Sequence, residues 1–176
     1  MNTLYVSDLD GTLLRSDQTL SNYTVDILNS LAAKGMIFSY ATARSYATSS
    51  IVTAGLDAKF PVIVYNGTFI LENGTRKQLL SHSFSAREAE EIVAIMAEEG
   101  VYPIVYSHVD GAEKYYYCPS LISDETEAFL KTRRGDGREN EVDGIDQLCV
   151  GEVFHFSCVD SAEKLLRVYE RIKDRF

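Results

Sequence analysis

The order of three short apolar segments constrains the fold of this chain more than any other feature. Residues 4–8, 36–41 and 61–65 each have the length and composition of a buried strand. Between the first two segments, Ser21 can cap a helix that ends shortly before Gly35. A strand, helix, strand order with a crossover of this length requires the two strands to pair in parallel. The sequence therefore predicts an α/β fold with a parallel sheet.

The carboxyl end of each predicted strand is followed by residues able to bind a ligand. They are Asp8 and Asp10 after the first strand, Thr42 and Arg44 after the second, and Asn66 with Gly67 after the third. Ligands of open α/β sheets bind outside the carboxyl ends of the strands. We therefore expect one common site at this end of the sheet.

The acid pair at positions 8 and 10 needs a chemical explanation, because neighbouring carboxylates repel each other. Alternation along an extended segment would place Asp8 and Asp10 on the same side, and Gly11 leaves room for a ligand. A hard cation such as Mg²⁺ would compensate the repulsion. One carboxylate could then act as an ionised nucleophile, while repulsion raises the pKa of the other for proton transfer. The alternative is a solvated turn, since D-L-D-G is also a turn composition.

Three motifs resemble those of a known enzyme superfamily. The segment VSDLDGTLL at 6–14 resembles the first motif of haloacid dehalogenase-like proteins, most of which are phosphatases, and ATAR at 41–44 and YNG at 65–67 resemble the Cof-type branch. The resemblance implies part of a Rossmann-like core with a parallel sheet, joined to an α/β cap domain. It also implies Mg²⁺-dependent hydrolysis of small phosphomonoesters, such as sugar phosphates, through an aspartyl-phosphate.

The resemblance assigns the central chemistry to the acid pair. Asp8 would form the aspartyl-phosphate and bind Mg²⁺ through its carboxylate. Asp10 would protonate the leaving alcohol and then activate water, and its backbone carbonyl would be a second metal ligand. Thr42 would hydrogen-bond the transferring phosphoryl group. Ala43 replaces the glycine that the family usually has after this threonine.

The remaining site residues have weaker assignments. By the same resemblance Arg44 would add positive potential near the phosphate, and Asn66 with Gly67 would position the phosphate or the leaving group. Each prediction has a structural alternative. Thr42 can be a helix N-cap, Arg44 can form a surface salt bridge, and Asn66-Gly67 can be a simple turn.

The pattern changes near residue 82, so we predict two domains, residues 1–82 and residues 83–176. The second has a capped amphipathic helix from Ser85, strands near 101–107, 113–118 and 151–160, and a helix near the end. The segment 120–144 is polar, and RRGDGREN within it indicates an exposed loop or short helix end. The resemblance identifies this domain as a cap that excludes bulk water and selects the substrate.

Composition limits the class of partner. The formal charge of −9 disfavours nucleic acid, so a small phosphorylated metabolite is the better partner. Three cysteines without CxxC spacing indicate reduced thiols rather than a disulfide framework or a zinc site, as in a cytoplasmic protein. Acids at 8 and 10 interrupt any signal peptide, and no run of about 18 apolar residues predicts a membrane span.

Two elements that the resemblance implies have no match in these 176 residues. They are a lysine that neutralises the phosphate and a later G-D-x-x-[ND] motif, since GDGREN lacks a preceding apolar strand. We expect a fragment or a truncated chain, with supply by another chain as the alternative, and an exposed apolar sheet edge. A catalytically inactive phosphate- or metabolite-binding module is the main rival function. A phospho-acceptor signalling domain is a second rival, which DxDGT matches poorly.

Overall fold

The computed structural model describes residues 3–57, 59–133, 135 and 137–176, and the chain divides into two compact units, residues 1–82 and 83–176. The elements of the first unit are β1 Leu4–Asp8, α1 Asn22–Ala33, β2 Ile37–Ala41, α2 Tyr46–Val52, β3 Val62–Val64, β4 Phe69–Leu71 and β5 Gln78–Ser81. Those of the second unit are α3 Ala86–Glu98, β6 Ile104–Val109, β7 Ala112–Tyr117, α4 Asp124–Lys131, β8 Glu139–Glu141, β9 Glu152–Ser157 and α5 Ala162–Ile172. The predicted α/β class is confirmed.

The sheet of the first unit has the order β1-β2-β3-β4-β5. Strands β1 and β2 pair in parallel from Leu4 opposite Ile37 to Asp8 opposite Ala41, and β2 and β3 are also parallel. Strands β4 and β5 then add as an antiparallel hairpin. The parallel pairing predicted from the strand, helix, strand order is confirmed, and it brings the carboxyl ends of β1, β2 and β3 to the same edge.

Helix α1 begins and ends where its sequence signals predict. The Ser21 side chain accepts a hydrogen bond from the backbone N–H of Thr24, which caps the first turn. After the helix, Gly35 has a φ of +95°, a left-handed conformation that glycine adopts without a steric penalty. The chain can therefore turn directly into β2.

Strand β1 lies at the edge of its sheet and is exposed, so the expected buried strand is wrong. Leu4, Tyr5 and Val6 expose 55%, 54% and 46% of their surface. The reason is that β1 pairs with β2 on one side only, and no residue of α1 is buried either. The exposed apolar sheet edge expected from the sequence is therefore present.

The second unit has a covered sheet with the order β8-β7-β6-β9. Helix α3 starts with a capping box in which the side chains and backbones of Ser85 and Glu88 bond reciprocally. Helices α3 and α5 pack together, and two apolar clusters join them to the sheet. The clusters are Ala89, Val93, Val105, Leu148 and Val153, and Ile92, Met96, Val101 and Val168.

The polar segment 120–144 is more ordered than its composition predicts. It contains α4, in which Ser123 accepts a hydrogen bond from the Thr126 N–H and Leu130 is buried, and it contains β8, which pairs in parallel with β7. The exposed loop expected for RRGDGREN, residues 133–140, is wrong for Glu139 and Asn140, which belong to β8 and are half-buried. A helix cap and tertiary burial outweigh the polar composition. Residues 134 and 136 of RRGDGREN lie outside the described residues.

Candidate active site at the carboxyl ends of β1, β2 and β3

The two acids of the pair lie in different elements, because Asp8 ends β1 and Asp10 lies in the turn after it. The strand ends at Asp8, and residues Leu9–Leu13 form one π-type turn, closed by a bond of 2.8 Å from the N–H of Leu14 to the carbonyl of Leu9. Gly11 has a φ of +75° within this turn, a left-handed conformation that glycine adopts easily. Asp10 therefore lies in a turn, and the expected strand alternation of the two acids is wrong.

Asp10 forms a bidentate ion pair with Arg44. The Nε and Nη2 atoms of Arg44 donate to the two carboxylate oxygens of Asp10 at 2.7 and 2.6 Å. The Asp10 side chain is 49% exposed and the Arg44 side chain 19%. These hydrogen bonds from Arg44 lower the pKa of Asp10 below its ordinary value. The raised pKa expected from repulsion between the acids is therefore wrong, because the guanidinium dominates.

Asp8 remains accessible at the end of β1. Its carboxylate accepts one weak hydrogen bond within the described residues, from the Thr12 hydroxyl at 3.4 Å, and the residue is exposed. Sequence reasoning assigned no role to Thr12, although it belongs to the D-x-D-G-T motif. The available signal was its position four residues after Asp8, inside a tight turn. A weakly held, exposed carboxylate can meet a ligand directly.

Thr42 is buried and lies before α2 rather than at its cap. The cap of α2 is Ser45, whose side chain accepts a hydrogen bond from the N–H of Thr48 at 3.2 Å. The Thr42 hydroxyl instead accepts one from the N–H of Arg44 at 3.2 Å. The N-cap alternative for Thr42 is therefore wrong. Its hydroxyl orders the loop that presents Arg44.

The segment after β3 is a left-handed turn bonded to that same loop. Tyr65, Asn66 and Gly67 have φ values of +50°, +55° and +98°. The N–H groups of Tyr65 and Asn66 donate to the carbonyls of Arg44 and Thr42, each at 3.1 Å. Left-handed backbone at a bulky residue such as tyrosine is rare and marks a conformation imposed by its surroundings. Asn66-Gly67 is thus a turn that fixes the neighbouring strand end.

These contacts join three strand ends into one edge. The pair of Asp10 with Arg44 links the segments after β1 and β2, and the backbone bonds of Tyr65 and Asn66 link the segments after β2 and β3. The one hydrogen bond that the Asp8 carboxylate accepts within the described residues comes from Thr12, in the turn that follows β1. The convergence predicted from the strand ends is present, and the roles of the individual residues stay predictions.

Gln18 is a site residue that sequence reasoning missed. Its side-chain oxygen accepts a hydrogen bond from Nη2 of Arg44 at 3.0 Å. Gln18 lies in the polar segment RSDQT, which contains no pattern that indicates such a contact. Only the folded chain brings residues 18 and 44 together.

The donors of this edge suit a hard cation bound largely by water and phosphate. Within the described ranges, no group of three or more His, Cys, Asp or Glu side chains could hold a metal ion. Asp8 offers an exposed carboxylate, whereas both carboxylate oxygens of Asp10 are held by Arg44, so its main-chain carbonyl is the better donor. Mg²⁺ often takes only one or two carboxylates and keeps several waters. The residues therefore fit Mg²⁺.

Comparison with known proteins shows the family and the fold. The profile of the haloacid dehalogenase-like hydrolases matches residues 5–176. The 5-amino-6-(5-phospho-D-ribitylamino)uracil phosphatase YitU of Bacillus subtilis is 27% identical over 138 residues, which are 78% of this chain and 51% of that protein. The HMP-PP phosphatase of Serratia proteamaculans is 31% identical over 93 residues, 53% of this chain and 34% of that protein. This chain thus spans about half the length of the Bacillus subtilis relative and about a third of the Serratia proteamaculans relative.

Solved structures have the same fold at low identity. SMU.1108c from Streptococcus mutans superposes with a TM-score of 0.78 at 18% identity, covering 99% of this chain and 63% of that one. The HAD subclass IIB sugar phosphatase BT4131 superposes with a TM-score of 0.70 at 17% identity, covering 98% of this chain and 64% of that one. At these identities the likeness shows the fold alone.

Proposed function

Because the chain belongs to the haloacid dehalogenase-like hydrolase family, we propose that it acts in the hydrolysis of small phosphomonoesters, such as sugar phosphates. The proposal rests on one observation. The exposed Asp8 carboxylate ends one of three neighbouring strands, and Arg44, which follows β2, contacts the segments that follow β1 and β3. Residues 1–82 would be the Rossmann-like core and residues 83–176 the cap domain. The phosphatase names of the matched relatives support this substrate class.

Asp8 is the proposed nucleophile. One of its carboxylate oxygens attacks phosphorus, the bond from phosphorus to the ester oxygen breaks, and the leaving oxygen takes a proton from Asp10. Asp10 then takes a proton from water, whose oxygen attacks the phosphorus of the aspartyl-phosphate and releases inorganic phosphate and Asp8. The Arg44 pair holds Asp10 ionised, which suits the second step, and the first step requires a proton on Asp10.

Three further groups would bind the phosphate. Arg44 would place positive charge next to it, the Thr42 hydroxyl would donate to one of its oxygens, and Asn66 with Gly67 would position it or the leaving group. The Asp8 carboxylate and the Asp10 carbonyl would hold Mg²⁺. When bound, Mg²⁺ neutralises charge on the transferring phosphoryl group.

A phosphate- or metabolite-binding module without turnover is the second candidate function. It is favoured by the lack of a match to the family's lysine and G-D-x-x-[ND] motif in these 176 residues. Phosphoryl transfer depends on cations positioned together around the phosphate. Arg44 is the cation that the described residues place at this edge. One cation can bind phosphate, but phosphoryl transfer would be slow without the others.

The test is hydrolysis of p-nitrophenyl phosphate with Mg²⁺ by the wild type and by Asp8→Asn. We expect turnover that falls at least about a thousandfold in Asp8→Asn, because the nucleophile is lost. Asp26→Asn, which removes an exposed acid from α1, is the matched control and should keep full activity. Phosphate binding without turnover in the wild type would favour the binding module. Turnover that survives in Asp8→Asn would contradict the proposal.

The location that we propose is the cytoplasm. Cys118, Cys149 and Cys158 are all free thiols, which supports a reducing compartment. Burial raises the pKa of Cys149 and of Cys158 to about 11, so both resist conversion to reactive thiolates. Along the described part of the chain, no helix combines the length and the apolar composition needed to cross a membrane.

A further inference from the structure

Arg44 is held by more contacts than its ion pair alone. Its Nε and one Nη2 hydrogen bond reach Asp10, and Nη2 makes a second bond to the Gln18 side-chain oxygen at 3.0 Å. Among the described residues, Nη1 donates no hydrogen bond. A planar guanidinium fixed at two atoms has its third nitrogen fixed too, so the two N–H groups of Nη1 are held ready for an anion.

The turn that carries Gln18 is rigid by its own hydrogen bonds. The N–H of Arg15 donates to the Thr19 carbonyl at 3.0 Å, and the N–H of Gln18 donates to the Arg15 carbonyl at 2.9 Å. The Asp17 carboxylate accepts from the Thr19 N–H at 3.0 Å and from its hydroxyl at 2.6 Å. Gln18 itself has a φ of +61°, a left-handed conformation that is uncommon for glutamine. The segment thus presents the Gln18 amide in one orientation.

We propose that Gln18 is a positioning residue, which fixes the Arg44 guanidinium so that Nη1 is oriented for the phosphate of a substrate. This inference rests on the proposed function for the identity of the anion, but the contact itself does not depend on turnover. An ion pair with a half-exposed acid is weak, and an arginine side chain has many rotamers. The hydrogen bond from Nη2 to Gln18 is therefore a second anchor that holds the guanidinium in the orientation of its bidentate pair.

Three substitutions distinguish the effect of the Gln18 side-chain amide from the effect of the backbone conformation at position 18. Gln18→Gly removes the amide and tolerates the positive φ, whereas Gln18→Ala removes the amide and keeps a Cβ at the same φ, as in the wild type. Gln18→Glu keeps an oxygen that can accept from Nη2 and should restore the orientation of Arg44. If the amide is responsible, the Gly and Ala variants behave alike. If only the backbone matters, the Ala variant, which keeps the Cβ of glutamine, behaves like the wild type and the proposal fails.

The direct readout is the side-chain Nε–H resonance of Arg44 in ¹H,¹⁵N NMR of the 176-residue chain. We expect solvent exchange of this proton to accelerate about fivefold in Gln18→Gly and Gln18→Ala, because the guanidinium loses one ordinary hydrogen bond at Nη2 and its Nε–H is then held less firmly against Asp10. The rate should return toward that of the wild type in Gln18→Glu. The Nε–H of Arg167, which bonds Glu99 in the second unit, is the internal control. Unchanged exchange at Arg44 in both amide-deletion variants would overturn the proposal.

Titration with inorganic phosphate in the presence of Mg²⁺ tests the consequence. The dissociation constant should rise about fivefold in Gln18→Gly, and, where turnover is measurable, KM should rise more than kcat falls. An equal loss in kcat without a change in KM would contradict a positioning role in binding. The exchange rate at Arg44 needs no turnover, so a failed phosphatase assay leaves the test of Gln18 intact.

Discussion

The two units of this protein differ in how their sheets are covered. In the second unit α3 and α5 pack on the sheet, and Ile104, Val105 and Leu148 are fully buried. In the first unit Leu4 and Tyr5 of the edge strand are more than half exposed, and α1 buries no residue. The unit that carries the candidate site thus has the more open core. The site in this unit is therefore ordered mainly by polar contacts.

Those polar contacts join the segments that come directly after the carboxyl ends of β1, β2 and β3. Arg44 joins Asp10 and Gln18 through its side chain, and its carbonyl accepts from Tyr65. Such hydrogen bonds are each worth about 1 kcal/mol, which is less than the burial of one large apolar side chain. The site should therefore be sensitive to single polar substitutions that leave the fold intact.

The largest expected difference between the units is in amide hydrogen exchange. Strand β6 is central in its sheet, whereas β1 is an edge strand with exposed side chains. We expect amides of β6 to exchange at least about a hundredfold more slowly than those of β1, because edge strands open locally. Equal protection would show that the edge of β1 is covered, and repeating the measurement at several protein concentrations would reveal self-association.

Matched leucine substitutions test the same difference through the stability of each unit. Leu148 is fully buried and Leu4 is 55% exposed. We expect Leu148→Ala to lower the free energy of unfolding of its unit by about 3 kcal/mol, from lost burial and the cavity left behind. Leu4→Ala should cost less than about 0.5 kcal/mol. Urea denaturation measures both, and similar losses would contradict the difference in covering.

A smaller effect is expected on phosphate binding when lysine replaces an ion-paired arginine in each unit. Arg44 makes three hydrogen bonds in the first unit, and Arg171 bonds Glu98 and Glu99 in the second at 2.5 and 3.0 Å. Lysine cannot reproduce a planar fork, so Arg44→Lys should weaken binding of inorganic phosphate about tenfold. Arg171→Lys is the matched control and should leave it unchanged. Each substitution should cost less than about 1 kcal/mol of stability. Equal effects of the two substitutions on binding would argue against a site at Arg44.

The smallest effect concerns acid pH in the second unit. Hydrogen bonds from Arg171 and Arg167 lower the pKa of Glu99 from its ordinary value of 4.5. A carboxyl whose pKa is lowered by folding stabilises the protein above its ordinary pKa, and this contribution disappears as the pH falls through the lowered pKa. The free energy of unfolding should therefore decline below about pH 4.5, and less steeply in Glu99→Gln.

The matched control for Glu99→Gln is Asp174→Asn, which removes an exposed acid near the end of the chain. We expect its pH profile, measured by urea denaturation, to follow that of the wild type. If Glu99→Gln also follows the wild type, the ion pairs between α3 and α5 contribute nothing to acid sensitivity.

Local signals in the sequence predicted most of the first unit. Ser21 and Gly35 marked the bounds of α1, and the order of strands fixed parallel pairing. Strand ends also predicted which segments meet, because parallel strands deliver their carboxyl ends to one edge. The capping box of Ser85 and Glu88 likewise marked the start of α3. Each of these signals depends on residues that are close together in the chain, so it can be recognised without knowing the tertiary structure.

The features that sequence reasoning missed all depend on distant residues. The exposure of β1 depends on which strands pair with it, and the lowered pKa of Asp10 depends on Arg44, 34 positions away. The contact between Gln18 and Arg44 joins residues that are 26 positions apart. Helix α4 was hidden by polar composition, since its burial comes from tertiary contacts.

The most direct test of the central claim is an NMR titration of the chain with Mg²⁺ and beryllofluoride, a mimic of a phosphoryl group on aspartate. We expect backbone amide shifts to concentrate in residues 8–12, 42–44 and 65–67 of the wild type and to be lost in Asp8→Asn. Shifts that leave one of these segments unaffected, or that persist in Asp8→Asn, would contradict a single phosphate site built from the three strand ends.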